Sequence, residues 1–238
     1  MILASRCSFF LKQHQKRILA EYVGEDAVLK KMRFIELPVT FSSFESPSLD
    51  EHMNPDGKIK LLYGGALSHR NFEPFLDAIV DGKNQNAVEA DFYFTSSSEK
   101  DLKAMMRFNF VHVHSAISSA DFEKKCLESN VLIAAGVDNP VLPVYKLYRL
   151  ISLGKPLIYL CRDPQDCMLD LVKRYPLSYI IYENCDDGDN AENLMNFLLE
   201  NANIRLDGEK THQLLVDCSP RVFWGLLKDE ALLENAEK

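Results

Sequence analysis

What the chain lacks narrows its chemistry before any motif is read. No apolar run approaches the ~20 residues of a membrane-spanning helix, and no signal-peptide pattern is visible. Basic residues are in deficit: 27 Lys and Arg face 35 Asp and Glu, for a net charge of −8. That balance argues against general nucleic-acid binding, which needs clustered Lys and Arg on the phosphates. Six cysteines (Cys7, Cys126, Cys161, Cys167, Cys185, Cys218) stand without a CxxC or Cys/His spacing, so reduced thiols are expected rather than a disulfide framework or a zinc site. The Gly-x-Gly-x-x-Gly of dinucleotide domains and the Gly-Lys-Ser/Thr of a P-loop are both absent. No Ser-His-Asp or Cys-His arrangement can be assembled, and the sequence assigns no catalytic residue.

What is present is a chain of 238 residues, 47% hydrophobic and 26% charged, able to bury a sizeable core. At the start, Ser8–Tyr22 has a helical pattern and Phe34–Val39 a strand-like one. Residues 40–57, rich in Ser, Pro and acidic groups, read as a linker. Beyond Gly57 the pattern becomes regular. Apolar strands are expected at Ile59–Tyr63, Ala90–Phe94, Val111–His114, Val131–Ala135, Leu157–Leu160 and Tyr179–Tyr182. Helices are expected at Asn71–Val80, after Ser98, at Ser119–Ser129, from Val144, at Asp163–Arg174 and at Ala191–Asn201. Strands that are apolar throughout and alternate with helices indicate an α/β fold, a doubly wound parallel sheet covered on both faces. The tail from Cys218 carries the one tryptophan, Trp224, in a helical pattern that suits packing against the N-terminal segment.

The organising stretch is 139–156. Pro140 and Pro143 break a loop after the strand Val131–Ala135. Val144, Leu147, Leu150 and Ile151 then recur at helical spacing, and Gly154 and Pro156 end the helix. The unpaired N–H groups and partial positive charge of such a helix start suit a phosphate. In open α/β sheets ligands sit outside the carboxyl ends of the strands, so two strand-to-helix loops become candidates. In the first, Gly64 and Gly65 let a backbone approach a phosphate and Arg70 offers a charge-assisted bond. In the second, Asn139, Val141 and Leu142 lead into Lys146 and, one turn on, Arg149. His112 and His114 point the same way from one strand and are expected to be buried and hydrogen-bonded rather than metal ligands.

Ile59–Gly65 with Arg70-Asn71, the helix and strand of 119–135, and Lys146-Leu147-Tyr148-Arg149-Leu150 running into Gly154-Lys155-Pro156 together resemble the C-terminal domain of GT-B glycosyltransferases. The resemblance covers residues 58–238. It implies a Rossmann-like nucleotide-sugar-binding domain with a C-terminal helix, preceded in 1–57 by the end of an N-terminal acceptor domain and a linker. It further implies sugar transfer from a UDP- or GDP-sugar, a substrate rather than a cofactor, to a glycan or lipid-linked acceptor. No metal, cofactor or nucleic acid is implied. The implied location is cytoplasmic, with peripheral association at the inner face of a membrane through the acceptor domain. With most of that domain outside these residues, the isolated chain is expected to bind nucleotide without transferring sugar. The alternative is a glycosyltransferase-like module without catalysis that serves in binding or assembly. Two positions depart from the family pattern. Arg149 stands where an acidic residue holds the ribose hydroxyls, and a guanidinium cannot accept a hydrogen bond. Ala66 stands where an arginine commonly follows the first strand's glycine.

Overall fold

The computed structural model describes residues 8–11, 32–35, 57–67, 70–82, 85–97, 99–140, 142–183, 190–222, 224, 225 and 228. The chain divides into two compact units, Met1–Ser43 with His212–Lys238, and Phe44–Thr211. In the first unit, β1 (Ser8–Leu11) pairs in parallel with β2 (Met32–Ile35), Ser8 opposite Met32 and Leu11 opposite Ile35. The helix expected from Ser8 is therefore corrected over Ser8–Leu11. Phe9, Phe10 and Leu11 are consecutive apolar residues, a pattern that fits a paired strand as well as a buried helix turn. Residues 12–22 lie outside the described set. The tail belongs to this unit, and Trp224 is 59% exposed.

The second unit is a six-stranded parallel sheet. Its strands are β3 (Ile59–Ala66), β4 (Val88–Ser96), β5 (Val111–Ser115), β6 (Val131–Ala135), β7 (Leu157–Cys161) and β8 (Ser178–Tyr182). The spatial order is β5-β4-β3-β6-β7-β8, so the chain winds outward from β3 in one direction and from β6 in the other. The unit is thus a Rossmann-like α/β fold with its topological switch between β3 and β6. Its helices are α1 (Glu73–Asp81), α2 (Glu99–Met105), α3 (Ser119–Glu128), α4 (Tyr145–Ser152), α5 (Leu169–Arg174) and α6 (Asn190–Asn201), and the division between the units falls within α7 (Gly208–Leu214), after Thr211.

At the centre of the sheet β6 and β7 are buried on both faces and carry no polar alternation, whereas β4 alternates, with Glu89 and Asp91 on its partly exposed face. Leu61, Tyr63, Ala90, Phe92, Ile133 and Ile158 join Phe72, Phe75, Ile79, Leu194 and Leu198 in one core cluster under α1 and α6. Leu62, Leu132, Leu157 and Tyr159 are equally buried on alternate positions, facing the opposite layer.

Helix α5 is shorter than the expected Asp163–Arg174. Asp163 Oδ1 accepts from Gln165 N–H at 2.7 Å, and Asp166 Oδ1 accepts from Met168 N–H at 2.8 Å. These short-range side-chain bonds hold the backbone in turns and compete with the helical ladder, so the helix begins only at Leu169. Asp166 is itself buried, its other oxygen accepting from Tyr159 Oη at 2.6 Å.

The Gly-Lys-Pro sequence after α4 is structural. Gly154 has φ +66°, and a Cβ there would lie 2.4 Å from the Leu206 carbonyl oxygen. Lys155, 2% exposed, runs beneath α3 and donates from Nζ to the carbonyls of Leu127 (2.5 Å) and Ser129 (2.6 Å). It thereby satisfies acceptors at that helix's end. Burial, with Arg205 nearby, pulls its pKa down to about 7.

Candidate donor site

A cavity of about 400 Å³ opens at the carboxyl end of β3, beside the switch point. Helix geometry explains its walls. On α3, Ser119, Phe122, Glu123 and Cys126 fall at the i, i+3, i+4, i+7 spacing of one helix face, and on α4 Lys146, Arg149, Leu150 and Leu153 do the same. Gly64, Gly65, Tyr93, Thr95, Ala116 and Ile117 supply the strand and loop side.

Gly64 is the tightest point. A Cβ on it would lie 2.2 Å from the Phe122 ring and 2.9 Å from Lys146 Nζ. Lys146 Nζ donates to Gly64 O at 2.6 Å and lies 3.6 Å from the Phe122 ring centroid, a cation–π arrangement. Lys146 borders the open cavity and is exposed as a residue, but its amino group is crowded by these two neighbours. Burial lowers its pKa to about 8, Arg70 adding to the effect. Phe122 meets Tyr93 edge-on at 6.4 Å, and Tyr93 stacks on His114 at 4.5 Å.

Arg149 crosses from α4 to α3. Its Nε donates to Glu123 Oε1 at 3.0 Å, and its Nη2 lies 3.0 Å from the same oxygen. Cys126, buried beside this pair, has its thiol pushed up to about 11 by burial.

The structure therefore places Gly64, Gly65, Lys146 and Arg149 around one cavity. Arg70 folds back instead, its Nη1 donating to Ala66 O at 2.6 Å in the turn where Tyr63 Oη donates to the same carbonyl at 2.8 Å. Asn139 is exposed and accepts at its carbonyl from Leu142 N–H at 3.0 Å, while Leu142 is 51% exposed. Neither lines the cavity, and Val141 lies outside the described residues. His112 and His114 correct the expectation of burial. Their side chains are 46% and 38% exposed and pair with Glu89 (3.1 Å) and Asp91 (2.6 Å) of the neighbouring strand. The cause is that β5 is an edge strand. Among the described residues no three His, Cys, Asp or Glu side chains converge as a metal set would. No described helix is long and apolar enough to cross a membrane.

Sequence reading missed Glu123, Phe122 and Tyr93. The only signal was the helical spacing of Phe122, Glu123 and Cys126, which an ordinary core-facing helix shares.

No family model matches the sequence, and no curated protein does. Solved structures do. A glycosyltransferase from Rickettsia africae aligns over 98% of this chain and 64% of its own, with a TM-score of 0.65 and 11% identity. The lipopolysaccharide outer core galactosyltransferase WaaB aligns over 97% and 62%, at 0.63 and 13%. A point mutant of S. aureus TarM in complex with Fondaparinux, alpha-GlcNAc-glycerol and UDP aligns over 91% and 41%, at 0.63 and 12%. The chain thus has the fold of the GT-B glycosyltransferases. It spans 41 to 64% of the length of these three structures.

Proposed function

We propose that residues 58–211 bind the nucleotide of a nucleotide-sugar and form the donor half of a glycosyltransferase. The observation that supports this most is the cavity at the switch point, where Gly64 and Gly65 meet Lys146 of α4. A diphosphate approaching the start of α4 would meet the Lys146 ammonium and the partial positive charge of the helix N-terminus. Tyr93, Phe122 and Ile117 offer apolar surface for a base. The UDP in the TarM complex makes UDP the first probe, with GDP the second. A glycan or lipid-linked acceptor belongs to this reading, as does a cytoplasmic location.

The second reading is a glycosyltransferase-like binding module without catalysis. It is favoured by one observation: Lys146 and Arg149 are engaged within the protein, by Gly64 and Glu123.

Titration calorimetry of the purified chain with UDP and GDP tests the donor reading. Binding is expected in the micromolar to millimolar range and should fall sharply in Gly64→Ala, whose added methyl collides with Phe122. Failure of both nucleotides to bind at millimolar concentration removes the donor reading and leaves the second.

A further inference from the structure

We propose that Glu123, on α3, takes the ribose hydroxyls of the nucleotide, with Arg149 as the residue that positions it; this rests on the donor-site reading above. Residue 149 cannot accept a hydrogen bond, so a diol bound at this wall needs an acceptor from elsewhere. Helices α3 and α4 lie side by side along the cavity, and their facing stripes bring residues 123 and 149 together.

Three features of this pair suit the role. Arg149 grips Oε1 of Glu123, through Nε and Nη2. Oε2 makes no hydrogen bond to any described residue, and the side chain is 45% exposed, so this oxygen is open to a ligand. Among the described residues Glu123 is also the only carboxylate lining the cavity. Finally, the guanidinium offsets the carboxylate charge. The pair therefore invites neutral hydroxyl donors rather than a cation, and it does not repel a phosphate lying one helical turn away at Lys146. An ionised carboxylate accepts well from hydroxyl groups, and fixing one oxygen by two N–H donors removes the rotamer freedom that binding would otherwise have to freeze.

The test compares UDP with 2′-deoxy-UDP, and GDP with 2′-deoxy-GDP, by calorimetry on the whole chain. The unmodified protein should favour the ribonucleotide by roughly tenfold, the value of one charge-assisted bond. Glu123→Gln should bring each pair to within about twofold while leaving the melting temperature in place, because the side chain is half exposed. The charge-swapped E123R/R149E protein, with its carboxylate moved to α4, should regain the ribose preference; if it fails to fold, the Glu123→Gln ratio decides alone. A ribose preference that survives Glu123→Gln, or none in the unmodified protein although UDP or GDP binds, overturns the role of Glu123 and leaves the donor reading intact. Absence of all nucleotide binding overturns both.

Discussion

Lys146 Nζ and the Gly64 carbonyl oxygen are 2.6 Å apart, joining the first turn of α4 to the end of β3 across the switch point. The bond couples two properties of one side chain. It holds the ammonium where an anion would meet it, in a place where burial lowers its pKa to about 8. The charge is therefore present below about pH 8 and lost as pH rises through that value. Affinity for UDP should fall between about pH 7 and 9, a range above the phosphate's own titration near about 6. Lys146→Ala should weaken binding about ten- to a hundredfold at about pH 7 and abolish the pH dependence. Calorimetry at several pH values checks both.

The same substitution strips a partner from the Gly64 carbonyl. A loss of about 1 kcal/mol is expected, a shift of about 2–4 °C in melting temperature for a chain of this size. Calorimetric melting of Lys146→Ala and Lys146→Met measures it without any ligand.

Lys155 has its proton affinity depressed by burial, to about 7, against about 10.4 for a free lysine. Between those values the unfolded chain binds more protons than the folded one, so the Lys155 contribution to stability rises with pH across that window. In Lys155→Met this rise should vanish. The variant should also be less stable at neutral pH, by on the order of 3 kcal/mol, because the Leu127 and Ser129 carbonyls lose their donor. Urea unfolding of both proteins from about pH 6.5 to about 10.5, a span that takes in both values, tests the sign.

Gly154→Ala should cost about 2–3 kcal/mol, the sum of left-handed strain and the collision with Leu206. The Leu206 N–H bond to Gly154 O, 2.8 Å long, should loosen with it. Urea unfolding gives the first quantity, and hydrogen exchange at Leu206 reports the second.

Tyr159→Phe should destabilise by about 1–3 kcal/mol, since it leaves a buried oxygen of Asp166 without its donor. Tyr159→Phe with Asp166→Asn tests the pairing: their combined cost should fall short of the two single costs added together.

The order of strands and helices in the sheet unit was legible because its signals are local. Runs such as Val131–Ala135 and Leu157–Leu160, apolar stripes such as Leu147, Leu150 and Ile151, and stop signals such as Gly154 depend on the chain within a few residues. So did Gly64, Gly65 and Lys146 as neighbours of one cleft, once the parallel topology set strand ends and helix starts on the same side. Tertiary packing decided the rest. Asp163 and Asp166 shortened α5 because Asp166 is anchored on Tyr159 from the adjoining strand. His112 and His114 proved exposed because β5 ended at an edge, which depends on strand order. The carboxylate facing the cavity came from Glu123, 26 positions before the arginine that holds it. No periodicity within either helix encodes that contact, because it arises only when α3 and α4 lie side by side on the sheet.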